Sequence, residues 1–372
     1  MAKRTGLYGE HVALGGRMVE FAGWELPVQY DATGALKEHH AVRAAAGLFD
    51  IDHMGQFVLS GTGAEPFLNH VLTADISALP LWKTQYSLLP YTDGGLVDDV
   101  LVYRLPQVYW LIVNAANREK DLQWLRAHAA GYDVTIEDIS DATYMLALQG
   151  PKAQAILQQV TPLDLKGIAY HTAAEGEVAG APALIAATGY TGEYGYELYL
   201  PPDQAVRVWR RLLAVGGPEG LLPCGLAARD SLRFEAALPL YGHELSAEID
   251  PYTAGLGFFV DLGKPFIGRD ALLKIKLEGP ARKLVGFEMT EPAVPRAGYP
   301  VLIDGQPAGR VTTGMKAPTL DKFLGLALVP AEHAAAGTPI EILVRDRAKK
   351  AVIVPRPFYT PAYRRKEPRK AA

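Results

Sequence analysis

The sequence has a single cysteine, Cys224, so it can form no intramolecular disulfide and no thiolate cluster for a metal. It has no apolar run approaching the roughly 18 residues that a membrane-spanning helix needs. Its first residues, Met-Ala-Lys-Arg-Thr-Gly, lack the continuous apolar core of a secretory signal. It also lacks a strong charge of either sign: 37 basic residues against 41 acidic ones leave a formal charge of -4, without the electrostatic footprint of a nucleic-acid binder. These absences predict a protein of a reducing compartment, by default the cytoplasm, with no nucleic-acid and no membrane partner. Basic residues gather only at the end, where six of the last seventeen, among them Arg364, Arg365, Lys366 and Lys370, read as a solvated tail.

What is present suits a globular enzyme. A chain of 372 residues, 49% hydrophobic, exceeds one ordinary core and predicts two or three domains in contact. Its first part mixes helix and strand patterns without the regular alternation of a doubly wound parallel sheet, which predicts an α+β architecture. Leu36 to Ala46 reads as a helix closed by Gly47, and Ala64 to Leu72 as a helix with Pro66 in its first turn. Tyr86 to Leu89, Leu96 to Tyr103 and Val108 to Val113 read as an antiparallel meander, followed by a helix from about Asn117 to Ala129. Tyr144 to Leu148 reads as a strand, and Pro151 as the start of a helix to about Val160. After a charged helix near Ala271 to Lys276 come short strands, beginning at Leu284 to Met289 and ending at Ala351 to Val354, which predict an all-β barrel. The domain expectation is therefore residues 1–272 followed by a barrel domain at 273–372.

Among residues that could carry chemistry, His39 and His40 are adjacent rather than four apart, so they do not make a helical metal site and read as structural or surface groups. Gly189, Gly192 and Gly195 have neither a dinucleotide nor a Walker spacing, and read as a tight hairpin between strands Ala183 to Ala187 and Tyr196 to Leu200. Glu197 in the second strand is then either solvent-facing or paired. Asp98 and Asp99 stand at the entrance of an apolar strand, where alternation puts Val97, Asp99, Leu101 and Tyr103 on one face and Leu96, Asp98, Val100 and Val102 on the other. They either decorate a hairpin mouth or, if the strand is covered, hold charge in a low-dielectric place.

Several segments together resemble the aminomethyltransferase (T-protein) family of the glycine cleavage system, and they spread over almost the whole chain. They include Phe21-Ala-Gly-Trp-Glu-Leu-Pro27, Gly47-Leu-Phe-Asp-Ile-Asp-His-Met-Gly55, Gly94-Gly-Leu-Val-Asp-Asp99 and Val113-Asn-Ala-Ala-Asn117 with Glu119-Lys-Asp121. Later come Leu148-Gln-Gly-Pro151, Thr188-Gly-Tyr-Thr-Gly-Glu193 with Gly195-Tyr-Glu-Leu198, Gly225-Leu-Ala-Ala-Arg-Asp230, Leu232-Arg-Phe-Glu-Ala236, Leu240-Tyr-Gly242 and Ala317-Pro-Thr-Leu320. The departures are Gly6, Asp52 before the His-Met pair, and Thr313, Ala317 and Asp321 in the barrel.

The resemblance implies three domains in a ring around a central folate channel, the first two interleaved in sequence. It implies transfer of a one-carbon unit from an aminomethyl-dihydrolipoyl arm of the H protein to tetrahydrofolate, giving 5,10-methylenetetrahydrofolate, ammonia and the reduced arm, with no metal, flavin or nicotinamide. By the same resemblance Asp99 faces the reacting folate nitrogens and Glu197 holds the donor edge of the pteridine. Tyr86, Tyr103, Asn114, Tyr170, Tyr190 and Tyr241 match positions lining the folate cavity, Arg229 a substrate-contacting arginine, and Tyr363 a folate contact near the C-terminus. From the residues alone, Arg229 in an apolar helical segment needs an anion, which bound folate, Asp230, Glu235 or another carboxylate can supply. There are three alternatives: a folate-dependent demethylase of the superfamily, which would differ only on the donor side, a non-enzymatic iron-sulfur assembly factor, whose Lys-Gly-Cys-Tyr motif is absent here, and a folate-binding oxidase subunit, a kind of chain that carries a flavin fingerprint or a partner.

Overall fold

The chain crosses between two sheets before either is complete. The computed structural model describes residues 2–361 and Tyr363, so the basic tail residues Arg364, Arg365, Lys366 and Lys370 lie outside the described residues. A small N-terminal sheet (Lys3–Arg4, Trp24–Tyr30, Gly16–Phe21) and the helix Gly34–Ala44 come first. The strand Ala46–Asp50 follows, after which the chain leaves to build a second sheet and returns at Tyr144–Gln149. That second sheet has the spatial order Thr84–Pro90, Leu96–Arg104, Tyr109–Val113, Gly55–Ser60, Thr135–Asp138. The sheet to which the chain returns has six strands, in the order Ala173–Val178, Ala181–Ala186, Gly195–Leu200, Tyr144–Gln149, Ala46–Asp50, Leu221–Pro223. Six further strands between Arg282 and Val354 close into a barrel. The fold class is the expected α+β arrangement with a C-terminal all-β barrel.

Several local expectations change. Gly47 does not close a helix: the helix ends at Ala44 and Gly47 lies inside the strand Ala46–Asp50. The reason is close packing, because a Cβ on Gly47 would stand 2.5 Å from Val42 Cγ2 and 2.6 Å from Cys224 Sγ. The connection between Ala181–Ala186 and Gly195–Leu200 is no tight hairpin but an eight-residue loop folded around Gln149, whose Nε2 donates to Thr188 O and whose Oε1 accepts from Thr191 Oγ1. Gly189 is required there, since a Cβ would fall 1.9 Å from Gln149 Oε1. The helix after Pro151 is shorter than expected, Ala153–Leu157. The helix Ala205–Gly216 carries no expectation above, although Ala205, Val208, Trp209 and Leu212 form one buried stripe at helical spacing.

The strand Leu96–Arg104 forms as expected, with one irregularity. Opposite it the register shifts between Leu89, which faces Asp98, and Pro90, which faces Leu96. Val97 is the residue left over, and it joins the core of Val100 and Val102 instead of the face of Asp99, Leu101 and Tyr103. From Asp98 onward alternation is regular, so Asp98 and Asp99 point to opposite sides.

Buried charge fastens the barrel to the rest. Arg233, on the helix Leu226–Glu235, donates to Glu244 Oε2 (2.8 Å) and to Thr313 Oγ1 (3.1 Å). Glu244 Oε1 accepts from Thr312 and Thr313 of the barrel strand Gln306–Ala317, each at 2.7 Å. Thr313, one of the departures from the family pattern, is thus a hydrogen-bonding link at a domain contact. Both charged side chains are at most 1% exposed. Glu244→Ala leaves Arg233 buried without this anion, and the expected cost is about 3–5 kcal/mol in urea-induced unfolding. A loss under about 1 kcal/mol, the range of an exposed ion pair, refutes that assignment.

Candidate active site

Where the two large sheets, the helix Leu226–Glu235 and the segment Ala237–Phe259 converge, they enclose a cavity of about 570 Å³. Tyr86, Asp99, Asn114, Tyr170, Tyr190, Glu197, Arg229 and Tyr241 all line it. The residues come from distant parts of the chain, which is why no single string in the sequence delineates the site.

Asp99 projects from Leu96–Arg104, the second strand of the five-stranded sheet. Its Oδ2 accepts from Tyr86 Oη on the neighbouring strand (2.9 Å), and its Oδ1 accepts from Asn114 Nδ2 (2.8 Å). Asn114 follows the next strand, and its Nδ2 also reaches Asp98 Oδ1 at 2.8 Å, so one amide spans the pair. Asp98 points away from the cavity, is fully buried, and accepts further bonds from Asn114 N (3.0 Å) and Asn117 Nδ2 (2.6 Å). Burial, then the adjacent Asp98 charge, pushes the Asp99 carboxyl up to about 7, against the pull of the Tyr86 and Asn114 hydrogen bonds. Asp99 therefore changes charge near neutral pH.

Glu197 occupies the opposite wall, on the strand Gly195–Leu200. Its cross-strand neighbours are Ala147 and Ala186, whose small side chains leave space above the carboxylate. Glu197 Oε2 accepts from Thr188 Oγ1 at 2.7 Å, whereas Oε1 meets no donor among the described residues. Burial raises its pKa, opposed chiefly by Thr188 and the Arg229 charge. Arg229 sits 4.6 Å over the Tyr190 ring and forms no ion pair among the described residues. The nearby carboxylates are engaged elsewhere: Asp230 with Arg233, and Glu235 with Arg43 and His39. The guanidinium is left facing the cavity, and burial lowers its pKa.

Two expected wall residues stand elsewhere. Tyr103 is fully buried behind Glu197, its hydroxyl held 2.8 Å from Tyr199 Oη and 3.5 Å from Glu197 Oε2, because it lies at the far, covered end of its strand. Tyr363 lies outside the lining: its hydroxyl donates to Glu193 Oε2 (2.7 Å), accepts from Tyr194 N (2.6 Å), and its ring stacks on Tyr194. Tyr194 in turn meets Tyr170 at the cavity rim, with ring centroids 5.8 Å apart. Tyr190 and Tyr241 have their hydroxyls donated to Pro239 O and Leu96 O, so they offer ring faces to the cavity.

The lining also holds residues that sequence reasoning did not single out, among them His53, Phe21 and Phe258. His53 is 3% exposed with Nδ1 unpartnered, and burial, aided by the Arg229 charge, holds its pKa down at about 3, so it is neutral. The His-Met string contained the signal, though no role could be read from it. Phe21 and Phe258 form an apolar mouth, and Phe258 is 76% exposed. His39, by contrast, is structural as expected: Nδ1 pairs with Ser231 Oγ and Nε2 with Thr319 Oγ1.

Two family models match the chain: the GCVT N-terminal domain over residues 7–264, and the glycine cleavage T-protein C-terminal barrel domain over residues 282–360. An aminomethyltransferase of Geobacillus kaustophilus is 50% identical over 363 residues, 96% of this chain and 99% of the relative. One of Bacillus subtilis is 47% identical over 363 residues, with the same two shares covered. The crystal structure of glycine cleavage system aminomethyltransferase T from Bartonella henselae superposes with a TM-score of 0.91 at 32% identity, covering 97% of this chain and 99% of that one.

The Asp99 environment yields a direct measurement. With carboxyl-labelled aspartate, the 13C resonance of Asp99 should titrate with a midpoint near 7. Tyr86→Phe removes a donor to the charged form, so the midpoint should rise further. A wild-type midpoint near the ordinary aspartate value of about 4 contradicts the described burial.

Proposed function

We infer the chemistry of the cavity from one premise: the chain belongs to the aminomethyltransferase (T-protein) family of the glycine cleavage system. It is a tetrahydrofolate-dependent one-carbon transferase of that system. The finer reading proposed here gives each wall residue a role and names lipoylated H protein as the bearer of the donor arm.

One observation supports the reading above all: within one cavity Asp99 is poised near neutrality, and among the described residues Glu197 has a carboxylate oxygen without a donor and Arg229 has no ion-pair partner. In this reading that set complements folate. Glu197 Oε1 suits the adjacent N–H donors of the pteridine edge, and Arg229 suits a carbonyl or carboxylate oxygen of the same ligand. Tyr86, Tyr190 and Tyr241 supply aromatic surface. Asn114 fixes the Asp99 carboxylate, whereas Tyr103 acts from behind through Glu197. Tyr170 is assigned to the rim, and Tyr363 supports that rim through Tyr194.

In the proposed reaction the methylene carbon exchanges its bonds to sulfur and to the amino nitrogen for bonds to N-5 and N-10 of tetrahydrofolate. The two protons leaving those nitrogens balance the thiol and ammonia released. The attacking nitrogen belongs to the substrate, so the protein needs no nucleophile of its own, and this route requires no metal, flavin or nicotinamide. Ionised Asp99 stabilises positive charge that builds on the methylene carbon and the folate nitrogens, and Tyr86 and Asn114 hold it in place beforehand. The apolar mouth of Phe21 and Phe258 admits the donor arm.

Supplying aminomethylated H protein with tetrahydrofolate should release ammonia and form methylenetetrahydrofolate in equal amounts. Asp99→Asn keeps shape and removes charge, so turnover should fall by about a hundredfold or more with folate affinity little changed. An Asp99→Asn protein with normal turnover removes this residue from the reaction. Tetrahydrofolate should raise the melting temperature by linkage, and Glu197→Ala should diminish that rise. An undiminished rise in folded Glu197→Ala places the pteridine elsewhere.

A further inference from the structure

Asp121, on the helix Arg118–His128 behind Asp98, is fully buried, and neither of its carboxyl oxygens meets a hydrogen-bond partner among the described residues. An anion so placed would have all its lone pairs unmatched, a costly arrangement. As an acid it has a proton to give, and it stands one helical turn beyond Asn117, whose Nδ2 donates to Asp98 Oδ1, so Asp98 is the acceptor on the same face of the helix. The charged and titratable groups around it are Asp98 and Asp99 on the strand, Lys120 on its own helix, and Tyr91 and Tyr241 from the flanking segments. Lys120 forms no ion pair with Asp121: its Nζ donates to Tyr241 Oη at 3.1 Å and lies over that ring.

Asp98, Asp99 and Asp121 are thus clustered beside the cavity, and like charges so close cannot all persist. Hydrogen-bond donors decide which keeps its proton. Asp98 accepts from Asn114 N, Asn114 Nδ2 and Asn117 Nδ2. Asp99 accepts from Tyr86 Oη and Asn114 Nδ2. Asp121 receives none.

We propose that Asp121 stays protonated through the working pH range and donates to Asp98, and that this shared proton keeps Asp99 able to ionise. Asp121 is a positioning residue: it touches no substrate and acts through Asp98. The proposal rests on the reading of Asp99 as the group that stabilises developing positive charge. Its physical content is that the Asp121 hydrogen bond withdraws charge from Asp98, the neighbour whose charge opposes ionisation of Asp99. Burial and the Asp98 charge also push the Asp121 carboxyl far above the ordinary carboxylate range.

Two substitutions separate this from a packing role. Asp121→Asn retains a neutral donor of the same shape, so kcat/KM and its acid limb should stay within about threefold and 0.3 pH unit of the full-length wild type. Asp121→Ala removes the donor, so the acid limb should move to higher pH by about half a unit or more, with activity recovering at alkaline pH. An unmoved limb in Asp121→Ala, or loss of turnover at every pH in a folded Asp121→Asn, overturns the proposal. If Asp121→Ala fails to fold, the wild-type 13C carboxyl resonance of Asp121 decides: it should remain that of the acid at pH 7, and titration below pH 5 overturns the proposal. That resonance speaks to Asp121 even if Asp99→Asn shows the reading of Asp99 to be mistaken.

Discussion

A carboxylate taken out of water has to be given donors, and in this protein the distribution of donors among buried carboxylates organises both the frame and the site. Asp50 accepts from Thr5, His11 and Tyr144, joining the N-terminal segment to the six-stranded sheet. Glu38 accepts from Tyr30 N, Thr33 Oγ1 and Gly225 N, and thereby fixes the start of the helix that carries Arg229. Glu235 takes Arg43 and Thr319 N, and Glu244 takes Arg233, Thr312 and Thr313, so the other end of that helix is held to the barrel. Each of these groups is saturated and does no more than hold geometry. Glu197, with one unmatched oxygen, and Asp99, held near neutrality, open instead on the cavity.

The same distinction explains what could be read from the chain before folding. Strand periodicity separates Asp98 from Asp99, because parity depends only on local geometry. It misplaces Val97, because the bulge arises from the register of a partner strand, which no local pattern contains. Gly47 has the look of a helix stop, yet its role comes from Val42 and Cys224 pressing on a strand, a contact made across the chain. For Arg229 the sequence states a need for an anion without saying which one. Only the pairing of Asp230 with Arg233 and of Glu235 with Arg43 shows that the obvious candidates are occupied. The resemblance named eight residues that line the cavity, but it could not tell Tyr103, sealed behind Glu197, from the tyrosines that face the cavity, since burial depth is a property of packing and not of residue type.

The titration properties of the cavity follow from where charge is allowed. Cys224 is buried beside Glu38, which keeps its thiol well above its ordinary value and leaves it protonated. His53 is held neutral by burial and by the Arg229 charge, so the site contains an imidazole that neither carries charge nor readily takes a proton. What remains is the Asp99 carboxyl on the cavity wall, in a place where burial and the Asp98 charge oppose its ionisation. Burial and Asp98 disfavour the Asp99 anion, so in the proposed reaction positive charge arriving with the substrate meets a carboxylate that gains more from it than a solvated one would. In that proposed reaction the repulsion between two aspartates held side by side is relieved in the charge-separated state, so the adjacency of Asp98 and Asp99 would serve the chemistry as well as the fold.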